Sequence, residues 1–158
     1  MEHYQLKKIG KVRNDKNGAF IELEEAYIPA LQALEGFSHI NVLWWFSECD
    51  NEKMRSVLEM EQPYKGAPEK MGTFATRSPM RPNPIALTAV EIISIDYECG
   101  IIHITFIDAE DGTPILDIKP YTPSLDRVET PVVPSWCSEW PKSTEESAYF
   151  DWEQVFNF

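Results

Sequence analysis

The segment richest in chemical groups runs from Gly72 to Ile85, reads GTFATRSPMRPNPI and carries two arginines among three prolines. Each proline holds the residue before it in an extended conformation, so the prolines stiffen the segment and Arg77 and Arg81 are presented at low entropic cost. Arginine forks suit carboxylates and phosphates, and the segment is therefore suited to bind either group. The alternative, from composition alone, is a rigid surface crossover with solvated arginines.

A second segment, Ile107 to Tyr121, reads IDAEDGTPILDIKPY and combines acidic residues with the turn signature DGTP. Asp117 and Lys119 are two residues apart and therefore lie on the same face of any strand. The segment also has three carboxylates at the turn: Asp108, Glu110 and Asp111. The alternative here is a turn with solvated acids.

Motifs for other chemistry are missing. The chain has no glycine-rich phosphate loop, no paired-histidine zinc motif and no CxxC pair. The three histidines are scattered, and His103 is expected to point away from the apolar face of its strand. We therefore expect no metal site. The three cysteines are far apart, so we expect no disulfide framework and a cytoplasmic location.

The elements that must position these groups are mostly short strands separated by turns. We expect strands at Tyr4–Val12, Ala19–Leu23, Phe37–Phe46, Thr73–Thr76, Ile85–Ile95 and Ile115–Ile118, with Ile102, Ile104 and Phe106 forming one apolar face. The first two strands form a hairpin through the turn NDKNG, Phe37–Phe46 is expected to be buried on both faces, and Ile85–Ile95 is expected to carry a bulge. This pattern predicts a mainly β fold, an antiparallel β-barrel or sandwich with short helices.

Helical signals are few. Pro29–Leu34 predicts a short turn, and Asp50 or Asn51 is expected to cap a short helix. Ser143 with Glu146 forms a capping box, which predicts a closing helix in the C-terminal segment. We therefore divide the chain into a barrel over residues 1–128 and a C-terminal helical extension over residues 129–158, docked on the barrel or on a partner subunit.

Charge limits the choice of partner. The net charge is −12, from 26 acidic and 14 basic residues, so the surface as a whole repels nucleic acid. The basic groups are concentrated: residues 64–90 carry Lys65, Lys70, Arg77 and Arg81 against Glu69 alone. No apolar run approaches the roughly 18 residues of a membrane span, so we expect no membrane association.

The two segments together resemble the TsaA-like (YaeB/TrmO) family. The resemblance rests on GxFATRSPxRPNPI followed by DGTPxxDIKPY, with an upstream FSHIxVL strand that begins at Phe37. It covers about Ile9 to Asp126, three quarters of the chain. It implies a TsaA-like β-barrel that binds S-adenosylmethionine, a homodimer, and methylation of N6 of threonylcarbamoyladenosine next to the tRNA anticodon.

The resemblance also implies roles for individual residues. The residues implied for the cofactor are Gly18, Phe46, Ser47, Arg77, Leu87, Ile107, Asp108, Ala109 and Glu110. The residues implied for the acceptor side are Arg81, Asn83, Lys65 and Lys70, with Asp117, Lys119 and Tyr121 as the catalytic candidates and Asp117 as base or orienting group.

The chain departs from the family pattern in four places. It has Ala86 where members usually carry glycine, Ser47 where many carry histidine, and QPYKGA at Gln62–Ala67 in place of an RPxxGG-like stretch. A tryptophan-rich acidic tail replaces the long C-terminal region. Two functions therefore remain open: a tRNA methyltransferase, or an S-adenosylmethionine-binding module that senses the cofactor or methylates another acceptor.

Overall fold

The structure, a computed structural model, describes residues 1–158 and has a closed antiparallel barrel of six strands. In barrel order the strands are β1 (Gly10–Asp15), β2 (Gly18–Leu23), β7 (Ile101–Ile104), β6 (Ile85–Asp96), β3 (His39–Trp45) and β8 (Pro114–Pro120). A separate two-stranded sheet pairs β4 (Glu59–Glu61) with β5 (Lys70–Gly72). The mainly β prediction is confirmed.

Helix is confined to short pieces. The α-helices are α1 (Glu52–Arg55), α2 (Pro123–Asp126) and α3 (Thr144–Ser147), and 3₁₀ turns lie at Glu25–Leu31, Ser47–Cys49, Thr73–Ala75, Ser135–Cys137 and Trp152–Gln154. Asn51 caps α1 as predicted, because its side chain accepts a hydrogen bond from the Met54 amide. None of these helices has the length and apolar character needed to cross a membrane.

The chain divides into two compact units. The first contains residues 1–50 and 84–127 and includes the whole barrel. The second contains residues 51–83 and 128–158, and so joins the basic proline-rich segment with the tryptophan-rich tail. The docking of residues 129–158 on the barrel or on a partner subunit stays a prediction.

The barrel core is aliphatic and follows the period-2 pattern of its strands. Val12, Ile21, Ile40 and Ile102 are fully buried in it, while their neighbours along each strand face outward. The predicted hairpin is confirmed, with Asp15 opposite Gly18. The predicted bulge in β6 is also confirmed, as a register shift between Ile92 and Ser94.

Three predictions about strands were wrong. The first strand begins at Gly10 and not at Tyr4, although Ile9 already donates to the Ile115 carbonyl at 2.9 Å. β3 is buried on one face only, because an antiparallel barrel leaves alternate side chains outside. β7 ends at Ile104, so Phe106 does not join its apolar face and is 67% exposed.

The predicted strand at Thr73–Thr76 was also wrong. Thr73–Ala75 is a 3₁₀ turn, closed by the Thr76 amide and hydroxyl, which donate to the Thr73 carbonyl at 3.0 and 2.8 Å. The turn is held in place because the Thr73 hydroxyl donates to the Val57 carbonyl at 3.0 Å. Local threonine-to-backbone bonds thus replace the ladder that β-branched residues predict.

The closing helix is shorter than predicted. The Ser143 cap is confirmed, since its hydroxyl accepts from the Glu146 amide at 3.1 Å. The Glu146 carboxylate accepts from the Lys142 amide at 2.9 Å and not from the amide of Ser143. The helix ends after one turn at Ser147, and a 3₁₀ turn at Trp152–Gln154 follows.

Candidate functional site

In the barrel unit, the loop after β7 is attached to the first hairpin by Asn14. The Asn14 side-chain amide donates to the Ala109 carbonyl, and its backbone amide donates to the Asp111 carboxylate, both at 3.0 Å. Arg13 adds an ion pair to Asp111 at 3.6 Å. Asn14 was missed at the sequence level, where it read as an ordinary turn residue.

This attachment fixes the carboxylates of the loop. Ile107 is buried in the barrel core at 1% exposure and anchors one end of the loop. Gly112, at a φ of +83°, turns the other end and donates to the Val12 carbonyl at 2.8 Å. Asp108 and Glu110 are exposed between these anchors, so the loop presents two carboxylates that can accept hydrogen bonds from hydroxyl groups.

Gly18 belongs to the hairpin to which this loop is attached, and the space beside its Cα is open. Its φ of +116° is one that other residues rarely adopt, which explains the glycine. A Cβ at this position would meet no atom within 4 Å. The backbone here is thus accessible on the side where a side chain would otherwise stand.

The end of β3 brings Phe46 and Ser47 to the start of β6. The Phe46 amide donates to the Pro84 carbonyl at 2.8 Å, and the Phe46 ring packs edge-on against Trp44 at 4.5 Å. Ser47 is exposed at the start of a 3₁₀ turn. Ala86 is paired with Trp44 inside the barrel, where its methyl group is buried.

One cofactor candidate and the catalytic candidates lie on the outer face of the barrel. Leu43 of β3 is opposite Leu87 of β6 and Asp117 of β8, so all three share one level of the sheet. Lys119 lies two residues further along β8, opposite Asn41. The His39 and Tyr121 rings meet edge to face at 6.3 Å.

Lys119 and Asp117 form an ion pair of 2.8 Å on this face. The hydrogen bond that Lys119 donates to the Asp117 carboxylate, reinforced by the negative charge of that group, raises the pKa of Lys119 above its ordinary value. Lys119 therefore stays protonated at neutral pH and cannot accept a proton there. If a residue of this pair takes a proton, it is the Asp117 carboxylate.

In the second unit, the arginine segment is braced by its own side chains. The Ser78 amide donates to the buried Thr76 hydroxyl at 3.2 Å. The Arg81 guanidinium donates to the carbonyls of Thr76 and Ser78 at 3.2 and 3.0 Å. Arg81 thus holds the loop in shape, while the Arg77 side chain is exposed beside it.

Arg55 is a second brace, which sequence reasoning missed. It donates to the Pro82 carbonyl at 2.8 Å and to the Asn83 side-chain oxygen at 3.3 Å. Prolines offer no amide protons, so the carbonyls of this segment need donors from elsewhere. That requirement is the one signal in the sequence that points to an additional arginine.

Of the remaining basic candidates, Lys70 is already paired with a carboxylate, and Lys65 is attached to the tail through its backbone. Lys70 of β5 pairs with Glu59 of β4 at 3.1 Å, with both side chains more than 60% exposed. Lys65 donates its backbone amide to the Val155 carbonyl at 2.8 Å. The tail in the same unit, residues 128–158, carries six acidic residues against Lys142 alone.

The structure thus groups the candidates by unit. Asn14, Gly18 and the loop Ile107–Glu110 belong to one end of the barrel unit, and Leu87 and Asp117 share its outer face. Arg77, Arg81, Asn83, Lys65 and Lys70 belong to the second unit. The convergence of Arg77 with the loop Ile107–Glu110 stays a prediction. No group of three or more His, Cys, Asp or Glu side chains is placed to hold a metal ion.

Comparison with known proteins places this chain beside one family. Residues 9–127 match the family model of the tRNA-methyltransferase O N-terminal domain. A protein named S-adenosyl-L-methionine-binding protein from Archaeoglobus fulgidus is 37% identical over 137 residues, covering 78% of this chain and 93% of that protein. The tRNA (adenine(37)-N6)-methyltransferase of Escherichia coli is 38% identical over 96 residues, covering 60% of this chain and 40% of that enzyme.

A solved structure has the same fold. The crystal structure of TrmO from Pseudomonas aeruginosa superposes with a TM-score of 0.63 at 27% identity and covers 83% of this chain. This chain spans 62% of that solved chain. The match to the family model ends at residue 127, and the tryptophan-rich tail lies beyond it.

Proposed function

This chain belongs to the family of the tRNA-methyltransferase O N-terminal domain, and on that premise we propose that it binds S-adenosylmethionine and transfers the methyl group. The observation that carries the proposal is the family match over residues 9–127, which includes both the arginine segment and the aspartate-rich segment. The closed six-stranded barrel supports it.

The donor and acceptor groups of the candidate residues fit the parts of S-adenosylmethionine. Exposed Asp108 and Glu110 can accept from ribose hydroxyls, and the Arg77 guanidinium matches a carboxylate. The half-buried Phe46 ring offers an aromatic face for a cationic sulfonium. We propose these roles residue by residue, with Gly18, Ser47, Leu87, Ile107 and Ala109 as further contacts.

When bound, S-adenosylmethionine supplies a methyl group whose carbon–sulfur bond breaks as a carbon–nitrogen bond to the acceptor forms, which leaves one proton to be removed. Positioning the acceptor nitrogen in line can supply most of the rate. Asp117 is the proposed proton acceptor or orienting group, because Lys119 beside it stays protonated. Lys119 would orient Asp117 through their ion pair of 2.8 Å, and Tyr121 completes this proposed set.

We further propose that the acceptor is N6 of a threonylcarbamoyladenosine next to the tRNA anticodon. Support comes from the Escherichia coli relative, whose name specifies adenine 37 of tRNA. Arg81, Asn83, Lys65 and Lys70 are the proposed contacts on the acceptor side. Arg81 and Asn83 would act mainly through the braced shape of their loop, since Arg81 donates to two loop carbonyls and Asn83 accepts from Arg55.

The test is methyl transfer from labelled S-adenosylmethionine to tRNA that does or does not carry the threonylcarbamoyl group. We expect label on the modified adenosine only. With few phosphate contacts, log K should change with log salt with a slope of only about −1 to −2. S-adenosylmethionine binding without any binding of tRNA at low salt would contradict the tRNA assignment and leave cofactor binding intact.

That outcome would support a second candidate, an S-adenosylmethionine-binding module that senses the cofactor or methylates another acceptor. The charge distribution supports this second candidate, because the net charge is −12 and the acidic tail shares a compact unit with the basic segment. Lys70 is already paired with Glu59. Phosphate binding by this unit therefore starts from a weak electrostatic attraction.

We also propose a cytoplasmic homodimer. The three cysteines are all free, which suits a reducing compartment. A dimer would place two copies of the basic segment on one tRNA and so strengthen weak phosphate contacts. Light scattering at several protein concentrations tests this, and a monomer at every concentration would contradict it.

A further inference from the structure

Phe74 belongs to the arginine segment, Gly72–Ile85, and exposes most of its ring to solvent. Its relative exposure is 81%, whereas Thr73 and Thr76 on either side are 2% and 7% exposed. Hydrophobic stabilisation grows with the apolar area removed from water, so this ring contributes little to the stability of the second unit. Exposure alone assigns no role, because single exposed apolar residues are common on protein surfaces. The role follows from how the ring is held and from the charges around it.

The backbone that carries Phe74 is fixed on both sides of the ring. The Thr73 amide donates to the Leu58 carbonyl at 2.9 Å, and the Thr73 hydroxyl donates to the Val57 carbonyl at 3.0 Å. The amide and hydroxyl of Thr76 both donate to the Thr73 carbonyl, at 3.0 and 2.8 Å. A ring on such a backbone loses only its own side-chain freedom when a ligand binds. Phe74 therefore presents a flat apolar face at low entropic cost.

The charges that accompany this ring are positive. The arginine segment carries Arg77 and Arg81 and has no acidic residue. Glu59, on the strand paired with β5, is offset by its ion pair with Lys70 at 3.1 Å. Phe74 and Arg77 each follow a buried threonine, and both are exposed. The segment thus combines a flat apolar ring with cationic groups on one braced turn.

This combination fits a nucleobase that is attached to a phosphate backbone. Unpaired bases in RNA loops stack on aromatic side chains, and cationic groups beside the ring attract the phosphates. A second copy of the chain fits less well. A two-fold contact brings the same patch of both copies together, and would therefore place the arginines of one copy against those of the other.

Stacking would also supply what the charge distribution lacks. The net charge is −12, and the few basic groups of this unit predict a change of log K with log salt of only about −1 to −2. Attraction to phosphates is therefore a small source of affinity. A contact between an uncharged ring and a base does not depend on charge, so it can hold RNA where the electrostatic attraction is weak.

We propose that Phe74 is a substrate-binding residue, whose ring stacks on an unpaired base of the tRNA anticodon loop. This inference rests on the proposed function, in which tRNA is the methyl acceptor, and it adds an apolar contact to the charged ones on the acceptor side. Phe74 is absent from the candidates that the motifs indicated. Its position between two buried threonines, together with its exposure, singles it out.

The experiment measures binding of a labelled anticodon stem-loop RNA to the full chain by fluorescence anisotropy, at two salt concentrations. The variants are Phe74→Ala, Phe74→Leu, which keeps apolar area without a flat ring, and Phe74→Trp, which keeps a ring. Tyr149→Ala is the matched control, because Tyr149 is a 94% exposed aromatic residue of the same unit. Calorimetry with S-adenosylmethionine, light scattering and thermal unfolding are followed for each variant.

We expect Phe74→Ala to weaken RNA binding about 5- to 150-fold, the range for loss of one base stacked on an aromatic ring. Phe74→Leu should show most of this loss, whereas Phe74→Trp should bind at least as tightly as the unsubstituted chain. The loss should be the same factor at both salt concentrations, because the ring carries no charge. Tyr149→Ala should bind RNA normally, and no variant should change S-adenosylmethionine affinity or the unfolding temperature.

Several results would overturn the inference and leave the proposed function standing. RNA binding by Phe74→Ala that equals that of the unsubstituted chain would remove the ring from the RNA contact. Full affinity in Phe74→Leu, or loss of a dimer in Phe74→Ala together with loss of affinity, would assign the ring to an apolar contact and not to stacking. Weaker S-adenosylmethionine binding in Phe74→Ala would place the ring against the adenine of the cofactor.

Failure of the proposed tRNA substrate gives a different result. If the unsubstituted chain binds S-adenosylmethionine but no stem-loop RNA at low salt, the tRNA assignment fails and the inference fails with it. The unsubstituted chain alone decides that question, whereas the Phe74 variants decide the role of the ring.

Discussion

The barrel and the second unit hold their candidate residues by different physical means. The barrel places them on strands, or on loops attached to strands, whose inner faces bury aliphatic side chains completely, such as Ile21 and Ile102. The second unit has β-strands of only three residues. It relies on half-buried aromatic rings and on side chains that donate to backbone carbonyls, such as Arg55 and Arg81.

The difference predicts where substitutions act. Hydrophobic burial is distributed over many residues of the barrel, so a core substitution there should cost stability and leave the surface loops in place. In the second unit, a few named groups determine the position of the arginine segment, so a substitution there should change ligand affinity as well. Each prediction below tests one side of this contrast.

The largest expected effect is in the barrel core. Ile102→Ala removes a fully buried side chain and should lower the free energy of unfolding by about 2–5 kcal/mol. Ile93→Ala is the control, since Ile93 is 65% exposed and its loss should cost less than about 0.5 kcal/mol. Urea denaturation measures both, and equal effects would contradict the assignment of the core.

In the second unit, Trp140→Ala should lower the free energy of unfolding by about 2 kcal/mol, less than a fully buried tryptophan would. Trp140 has edge-on contacts with Tyr64, Trp136 and Trp152, all lost in this variant. Tyr149→Ala serves as control. A melting profile for Trp140→Ala that matches the unsubstituted chain would show that these ring contacts do not hold this unit together.

A smaller effect is expected at the hairpin. Asn14→Ala removes the bond to the Ala109 carbonyl and should cost about 1 kcal/mol. It should also increase amide exchange in residues 108–112, because the loop loses an anchor. The control Asn17→Ala lies in the same hairpin turn, and exchange that rises equally in both variants would refute the specific role of Asn14.

The smallest expected effect is a pH dependence in the barrel unit. The Tyr97 hydroxyl donates to the Glu35 carboxylate at 2.6 Å, and this bond lowers the pKa of Glu35 below its ordinary 4.5. Its stabilising contribution is therefore present above pH 4.5 and lost as the pH falls through the lowered pKa. Tyr97→Phe should make stability fall less steeply with acidification below about pH 5, and identical acid titrations would contradict this pairing.

The sequence predicted the barrel well and the second unit poorly, for one reason. The buried positions of Ile40, Val42 and Ile102 can be predicted from the alternation of residues along a strand, which is a property of each strand alone. The bonds of Arg55 to Pro82 and of Lys65 to Val155 join residues that no local period connects. The segment Thr73–Thr76 shows the same limit, because its two β-branched threonines predict a strand, whereas their hydroxyl bonds to backbone carbonyls hold a turn.

The candidate site divides in the same way. The motifs pointed to Arg77, Asp108 and Asp117, whereas Asn14 and Arg55 were not found because they act on backbone carbonyls. The sequence shows that Lys70 adds a positive charge to the basic segment. It does not show that Glu59 on the paired strand forms an ion pair with Lys70 and offsets that charge. Residue types can therefore be read from the motifs, and the groups that orient them require the fold.

The most direct test of the account is the affinity of Arg77→Ala for S-adenosylmethionine, measured by calorimetry beside the unsubstituted chain. Arg127→Ala is the matched control, since Arg127 is an exposed arginine outside the proposed site. The account predicts binding by the unsubstituted chain and by the control, and a loss of about 1–3 kcal/mol, or about 5- to 150-fold, for Arg77→Ala. Unchanged affinity in Arg77→Ala would contradict the central claim that this arginine binds the ligand.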